Sequence, residues 1–270
     1  MKNILVTGGN AGIGLALCRQ LLVDHGCFVF MGARSTERAS LSVKSITKDF
    51  PNLAGNVEVL EMDVSDDASV AAAASAFKAT GKTLDAIVNN AGVGLNSAGD
   101  LLATNFYGPK RVTDAFVDFV DKDKGRIVNV SSGSASMWLR NQEPSTKDLF
   151  TSKTSTWEEL EAGVLSFEPS YGLTKAGLTA YTIQQSVKWP NLVCTSLSPG
   201  FINTRMTAGY GARLTPEQGT VSLVKCLFGD VTSGFYYGSD GLRSPLTVTR
   251  DPGTPEYEGE DNPDASKYNR

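Results

Sequence analysis

Tyr171 and Lys175 stand four residues apart in the stretch Ser170 to Gln184, S-Y-G-L-T-K-A-G-L-T-A-Y-T-I-Q. Leu178, Tyr181 and Ile183 in the same stretch predict a helix packed against a core, and on a helix positions i and i+4 share a face. The phenol and the ammonium then point into one space. A free tyrosine, near pKa ~10, is a poor proton donor at neutral pH. A fixed positive charge ~4 Å away, at an effective dielectric of about 20, favours the phenolate by several kcal/mol and is expected to lower that pKa by roughly two to three. A phenol brought toward neutrality is a usable general acid or base. An isolated Y-x-x-x-K is more often a half-buried tyrosine beside a surface lysine, so the pair gains its weight from what precedes it.

Other chemistries find less material. The single histidine, His25, follows a predicted first helix and precedes a glycine, which makes it a helix-end residue and leaves a Ser/His/Asp hydrolase nothing else to build on. Cys18, Cys27, Cys194 and Cys226 are scattered with no C-x-x-C pair, so buried thiols in a reducing cytosol are expected rather than disulfides or a zinc site. Net charge is −4, from 25 basic and 29 acidic residues, which gives no electrostatic case for nucleic acid or an anionic membrane. No apolar run approaches the ~18–20 residues that cross a bilayer. The N-terminal M-K-N-I-L-V-T-G-G enters a short apolar run directly, unlike a secretory signal. A cytoplasmic protein is expected, and 270 residues suffice for one large α/β domain but not two.

The elements that must position the pair can be taken in order. Ile4 to Val6 is a short strand, then come Thr7-Gly8-Gly9-Asn10-Ala11-Gly12-Ile13-Gly14 and the helical pattern Leu15, Leu17, Leu21, Leu22. Strand, glycine turn and helix form a unit that holds a pyrophosphate on a helix N-terminus. The spacing is T-G-x-x-x-G-x-G rather than G-x-G-x-x-G. A second strand, Phe28 to Met31, ends in Gly32-Ala33-Arg34-Ser35. A carboxylate for a ribose 2′-hydroxyl is missing there, and Arg34, with Ser35 beside it, is available for a 2′-phosphate.

A helix over 38–50, a strand over 57–62 closing on Asp63-Val64, an alanine-rich helix over 70–79 and a strand over 86–88 closing on Asn89-Asn90-Ala91-Gly92 follow. Such alternation predicts a doubly wound, mostly parallel sheet with helices on both faces. Leu101 to Val120 reads as one helix carrying Asn105 and Pro109. Either the helix runs through, and the Asn105 carbonyl loses its donor in a kink, or it begins near Pro109. Arg126 to Val130 is a fifth strand ending in Ser131-Ser132-Gly133, at the sheet edge where ligands bind. An insert, 133–169, is longer than a direct crossover needs, and a long loop at that edge is more often functional than idle. It carries Trp138, Phe150, Trp157 and Phe167, with a short helix expected from Trp157. Beyond the Tyr171 helix come a strand over 192–197, Ser198-Pro199-Gly200-Phe201-Ile202-Asn203-Thr204, a helix over 216–228 capped by Thr215, and a last strand over 234–238. The domain is expected to span 1–250. Residues 251–270 form an acidic, Pro/Gly-rich tail, loose or folded over the pocket.

T-G-G-N-A-G-I-G, D-V at 63–64, N-N-A-G at 89–92, Asn105, S-S at 131–132, Y-G-L-T-K at 171–175 and P-G at 199–200 form one ordered set. In this set the chain resembles the short-chain dehydrogenase/reductase family, from Thr7 to Thr204, with a single Rossmann-type domain. The resemblance implies that Tyr171 is the proton donor to a carbonyl, that Lys175 lowers its pKa and binds the nicotinamide ribose, and that Ser132 holds the substrate oxygen. Asn105 matches the residue whose carbonyl keeps a water in the proton relay. Gly8, Asn10, Ala11, Gly12, Ile13 and Gly14 would cradle the phosphates. Asp63 and Val64 would flank the adenine, Asn90, Ala91 and Gly92 the adenosine side, and Pro199, Gly200, Ile202 and Thr204 the nicotinamide.

The insert before Tyr171 resembles that of the monomeric carbonyl reductases and their plant relatives. It would cover the helix face on which many family members dimerise, which implies a monomer. The expected activity is an NADPH-dependent carbonyl reductase without a metal. The insert and residues 205–213 are expected to line the pocket, and their aromatic content favours a small ketone or aldehyde that is apolar or aromatic. The alternatives are an alcohol dehydrogenase working in the oxidative direction with NAD, or a non-catalytic dinucleotide sensor.

Overall fold

Seven short runs become the strands of one sheet in the computed structural model, which describes residues 1–94, 100–248 and 250–260. In chain order the described elements are β1 (Asn3–Thr7), α1 (Gly12–Val23), β2 (Phe28–Ala33), α2 (Thr36–Thr47), β3 (Val57–Glu61), α3 (Asp67–Ala79), β4 (Ala86–Asn89), α4 (Gly108–Phe116) and β5 (Arg126–Val130). Then follow α5 (Gly133–Arg140), α6 (Pro144–Thr151), α7 (Trp157–Leu165), α8 (Tyr171–Lys188), β6 (Val193–Leu197), α9 (Val221–Phe228) and β7 (Tyr236–Tyr237). The strands lie in the order β3-β2-β1-β4-β5-β6-β7, and every pairing is parallel. This is the expected doubly wound Rossmann-type sheet, with its strand order reversing between β1 and β4.

Alternation along each strand splits the core into two layers, since successive side chains point to opposite faces. Ile4, Val6, Val29 and Met31 pack with Leu17 and Leu21 of α1, Ile46 of α2 and Leu223 of α9. Leu5, Phe30 and Ile87 pack on the other face with Val70 and Phe77 of α3 and Val112 and Phe116 of α4. Each such large side chain, fully buried, contributes about 1.5–3 kcal/mol against leaving it in water.

A buried polar chain sets how α8 sits on the sheet. The Asn129 amide donates to Thr182 Oγ1 at 2.9 Å and to Gln185 Oε1 at 2.6 Å, and the Asn89 amide donates to Asn129 Oδ1 at 2.8 Å. Gln185 in turn donates to Thr113 Oγ1 of α4 at 3.2 Å. Breaking one member would strand a buried partner, at a cost of about 1–3 kcal/mol. The network therefore fixes the rotation of α8, and with it the direction of Tyr171 and Lys175.

Several element boundaries differ from the sequence expectation for local physical reasons. The helix expected over 101–120 runs through Pro109, but only by widening into a π turn, Ala103–Tyr107, before α4. The wide turn accommodates the ring that cannot donate to Asn105. In the insert, α5 and α6 join the anticipated α7. Ala135, Leu139, Phe150, Leu160 and Val164 are buried against α8 residues, so these helices form by docking rather than by local propensity. The helix expected from Pro216 begins as a 3₁₀ turn, Gln218–Thr220, and becomes α-helical only at Val221. Thr215 still caps it, accepting from Gln218 N at 3.3 Å. The last strand shrinks to two residues, because Gly234 adopts φ 86° and breaks the extended run.

The start of the expected tail lies against the body. Gly253 N donates to Asp240 Oδ2 at 2.9 Å, Arg243 N to Glu256 Oε1 at 2.9 Å and Tyr257 N to the Arg243 carbonyl at 3.2 Å. Residues 261–270 of that tail lie outside the described residues. His25 stacks on Phe228 with centroids 4.3 Å apart, and all four cysteines are buried free thiols. Among the described residues no helix is long and apolar enough to cross a membrane, and no His/Cys/Asp/Glu cluster could hold a metal.

Candidate active site

Parallel strands deliver all their C-terminal ends to one edge. Here that edge collects Gly8, Arg34, Asp63, Asn90, Ser132 and Ser198, each just past a different strand. The turn after β1 is built by backbone. Gly8 and Gly12 have φ of 64° and 53°, conformations open to glycine. A Cβ on Gly14 would fall on the Gly8 carbonyl oxygen and within 2.5 Å of the Asn90 amide, so α1 lies tight on the turn. A Cβ on Gly12 would reach the Thr204 side chain at 3.3 Å, across the gap to the segment after β6. No side chain caps α1, whose N-cap is Ala11, so its first turn is open to an anion. Glycines at the points of close approach and an uncapped helix start fit a pyrophosphate between Asn10, Ala11, Ile13 and the 199–204 segment.

Around this cradle the other expected cofactor residues have visible structural duties. Asn90 donates to the carbonyls of Thr7 at 2.8 Å and Gly8 at 3.3 Å, and its N–H, with that of Ala91, donates to Thr7 Oγ1. The Asn90 side chain thus holds the turn. Ser35 caps α2 by accepting from Arg38 N at 3.2 Å, while Arg34 beside it is exposed. Asp63 Oδ1 accepts from the Ser65 hydroxyl at 2.6 Å, and Val64 is buried against Gly108. Gly200 has φ 92°, and Pro199 and Ile202 are buried.

Next to the cradle the structure brings Asn105, Ser132, Tyr171 and Lys175 together. Asn105 is fully buried: its Oδ1 accepts from Val93 N and its amide donates to the Val93 carbonyl, both at 2.9 Å. A Cβ on Gly92 would lie 3.2 Å from Asn105 Oδ1 and 3.5 Å from Lys175 Nζ, which places the N-N-A-G turn directly over both. Ser132 caps α5 by accepting from Ser134 N at 3.1 Å, and its hydroxyl also interacts with the Tyr171 phenol. Ser131 is turned away, bonding the Lys175 carbonyl at 3.0 Å and Thr179 Oγ1 at 2.7 Å, so it fixes β5 to α8.

The electrostatics correct one sequence expectation. Tyr171 is not lowered toward neutrality; burial pushes its phenol above the ordinary value, only partly opposed by the Ser132 hydroxyl. Lys175 donates to the Val130 carbonyl at 2.8 Å, and its Nζ stands 5.8 Å from the Tyr171 ring centroid. Burial brings Lys175 itself down to about 8. Desolvation, which a count along a helix does not reveal, sets the direction at Tyr171, and only the Ser132 hydroxyl opposes it.

Beside Ser132 opens a cavity of about 340 Å³. Its walls come from the start of α5, from Ser198, Gly200 and Phe201, and from a third set running from Tyr236 to Val248 with Arg250 and Pro252. Most of the third wall is unexpected, since nothing local marks residues 236–248 as lining; Pro252 belongs to the tail whose folding over the pocket is one of the two expectations. Of the expected walls, the start of the insert lines this cavity through Gly133, Ser134, Ser136 and Met137, while its aromatics and residues 205–213 do not. Residues 205–213 lie elsewhere, and the insert's aromatics bind the insert to the core: Trp157 stacks on Phe106 at 4.8 Å and packs on Tyr181, while Trp138 packs on Phe150 and Phe167. Aromatic content in the insert therefore says nothing of the ligand.

A family model described as short chain dehydrogenase matches residues 2–144, just over half of the chain. The chain belongs to the short-chain dehydrogenase family. Carbonyl reductase (NADPH) 1 of Homo sapiens is 31% identical over 245 residues, covering 80% of this chain and 86% of that protein. A (+)-neomenthol dehydrogenase of Capsicum annuum is 27% identical over 297 residues, covering 86% and 94%. The solved menthone neomenthol reductase from Mentha piperita superposes with a TM-score of 0.74 at 26% identity, over 88% of this chain and 99% of that one. As a member of this family the chain is an oxidoreductase of CH–OH and C=O groups that binds a nicotinamide dinucleotide, with carbonyl reductases among its relatives.

Proposed function

We propose that this short-chain dehydrogenase is an NADPH-dependent carbonyl reductase that reduces small ketones or aldehydes, with Tyr171 as the proton donor. When bound, the nicotinamide supplies the hydride that reaches the carbonyl carbon. Gly8, Asn10, Ala11, Gly12, Ile13 and Gly14 hold the phosphates, and Asp63, Val64, Asn90, Ala91 and Gly92 frame the adenosine end. Pro199, Gly200, Ile202 and Thr204 face the nicotinamide end. Arg34 and Ser35, at a strand end that lacks a carboxylate, select the 2′-phosphate.

Tyr171 passes its proton to the carbonyl oxygen, and Ser132 donates a hydrogen bond to the same atom. Lys175 supplies positive charge where negative charge develops on that oxygen. Asn105, locked by Val93, keeps its main-chain carbonyl opposite Pro109 for a water that resupplies the proton. The observation that carries the reading is the gathering of these four residues at the sheet edge, where Ser132 lines an open cavity. We further infer one catalytic unit over 1–250, with α6 and α7 covering α8 and keeping the protein a monomer, at work in the cytoplasm.

Replacing Tyr171 by Phe tests the donor. Turnover across a panel of ketones, quinones and aldehydes should fall about 10²–10⁴-fold while NADPH binding stays within a few-fold. Near-normal turnover by the variant on every carbonyl that the unaltered protein reduces would overturn the assignment.

A further inference from the structure

The wall of the cavity formed by β7 carries a second phenol that this chemistry does not use. Tyr236 lines the same cavity as Ser132, is 4% exposed, and hydrogen-bonds through its hydroxyl to those of Ser198 and Ser136. Both serines have their directions set by backbone. Ser198 Oγ accepts from Gly133 N at 3.1 Å and Gly200 N at 3.3 Å, which leaves its own proton for Tyr236. Ser136 donates to the Pro245 carbonyl at 3.3 Å, which leaves its oxygen to accept from Tyr236. Protons thus run from Ser198 through Tyr236 to Ser136, all of them committed. What Tyr236 still offers a ligand is an oxygen lone pair, whereas Ser132 across the cavity offers a proton.

The rest of the lining narrows the ligand further. The Arg250 guanidinium reaches the cavity but is held by Asp240, by Ser244 Oγ at 3.1 Å and by the Thr254 carbonyl at 2.8 Å. Its charge is already answered by a carboxylate, so it is no anchor for an acid. At the mouth Met137 and Phe201 are 55% and 52% exposed, with Pro245 and Val248 behind them.

We propose that Tyr236, oriented by Ser136 and Ser198, is a specificity-determining residue. It accepts a hydrogen bond from a hydroxyl carried near the reacting carbon, so the substrate is a neutral hydroxy-carbonyl compound with an apolar body at the mouth. The proposal rests on the carbonyl-reductase reading above.

The test compares 2-hydroxyacetophenone and 3-hydroxypropiophenone with their unhydroxylated parents, acetophenone and propiophenone, in the unaltered protein and in Tyr236→Phe and Ser136→Ala. The unaltered protein should favour one hydroxylated member by about tenfold or more in kcat/KM, chiefly through KM. That ratio should collapse toward one in Tyr236→Phe and fall in Ser136→Ala, which keeps the phenol. A ratio near one in the unaltered protein, or one undiminished in Tyr236→Phe, overturns the proposal. A binding readout separates its failure from that of the underlying reading. Calorimetric titration of 1-phenyl-1,2-ethanediol and 1-phenylethanol into the NADP-loaded protein should show tighter binding of the diol, lost in Tyr236→Phe, and equal binding of the two counts against the wall. If none of the four ketones is turned over while the diol preference holds, the reductase reading fails and the acceptor wall stands.

Discussion

The two ends of the sheet edge are built by different means. Around β1 and α1 the work is done by main chain: glycines with positive φ, an uncapped helix start and close contact that forbids a Cβ. Around β5 to β7 it is done by side chains from distant segments, namely a buried lysine, two phenols and a row of serine hydroxyls. A backbone site is specified by a few consecutive residues and fails by steric intrusion. A side-chain site is specified by the whole fold and fails through charge and desolvation.

The largest effect should come from Lys175. Its pKa in the folded protein, about 8, lies below that of an unfolded lysine, ~10.4. Between these values the unfolded chain binds more protons, so this residue's contribution makes stability rise with pH across about 8 to 10.4, and its penalty is greatest below 8. Lys175→Met should therefore be more stable than the unaltered protein at pH 7 by a few kcal/mol, with the gap closing as pH rises through that window, while reductase activity is lost. Denaturant unfolding of both proteins at pH 7 and pH 10 gives the gap, and one that widens with pH would contradict a buried charge.

Gly14→Ala should intrude on the Gly8 carbonyl and lower stability by about 2 kcal/mol, as overpacking does. Unlike the lysine change, its cost should not vary between pH 7 and 10, and calorimetry of NADPH binding should show weakened affinity. A pH-dependent cost there would blur the distinction between the two ends. Arg34→Ala should have the smallest effect, about a tenfold loss in preference for NADPH over NADH with stability untouched, because the side chain is exposed. Equal affinity for the two cofactors before and after the change would remove Arg34 from cofactor selection.

The same contrast explains what could be read in the chain beforehand. The backbone end was legible because T-G-x-x-x-G-x-G, the missing acid after β2 and the strand–helix alternation are local patterns. Tyr171, Lys175, Ser132 and Asn105 were legible only as an ordered set of motifs. Their geometry followed from α8 and from a polar network, Asn89, Asn129 and Gln185, that no local pattern announces. The shift at Tyr171 was misjudged because spacing along a helix says nothing of burial. The aromatics of the insert attach it to the core, a role that composition alone does not distinguish from lining a pocket. Residues 238–248 bear no mark of their role, since a loop lines a cavity only by virtue of what it is folded against.

The π turn at Ala103–Tyr107 has a consequence for how this edge can vary. Upstream, Asn105 must aim at Val93; downstream, Val112 and Phe116 must aim at the sheet. An uninterrupted α-helix advances about 100° per residue, and these two demands are out of phase by close to one such step. Shortening the segment by a single residue would give a more regular helix, and would swing either the asparagine or the phenylalanine off its target.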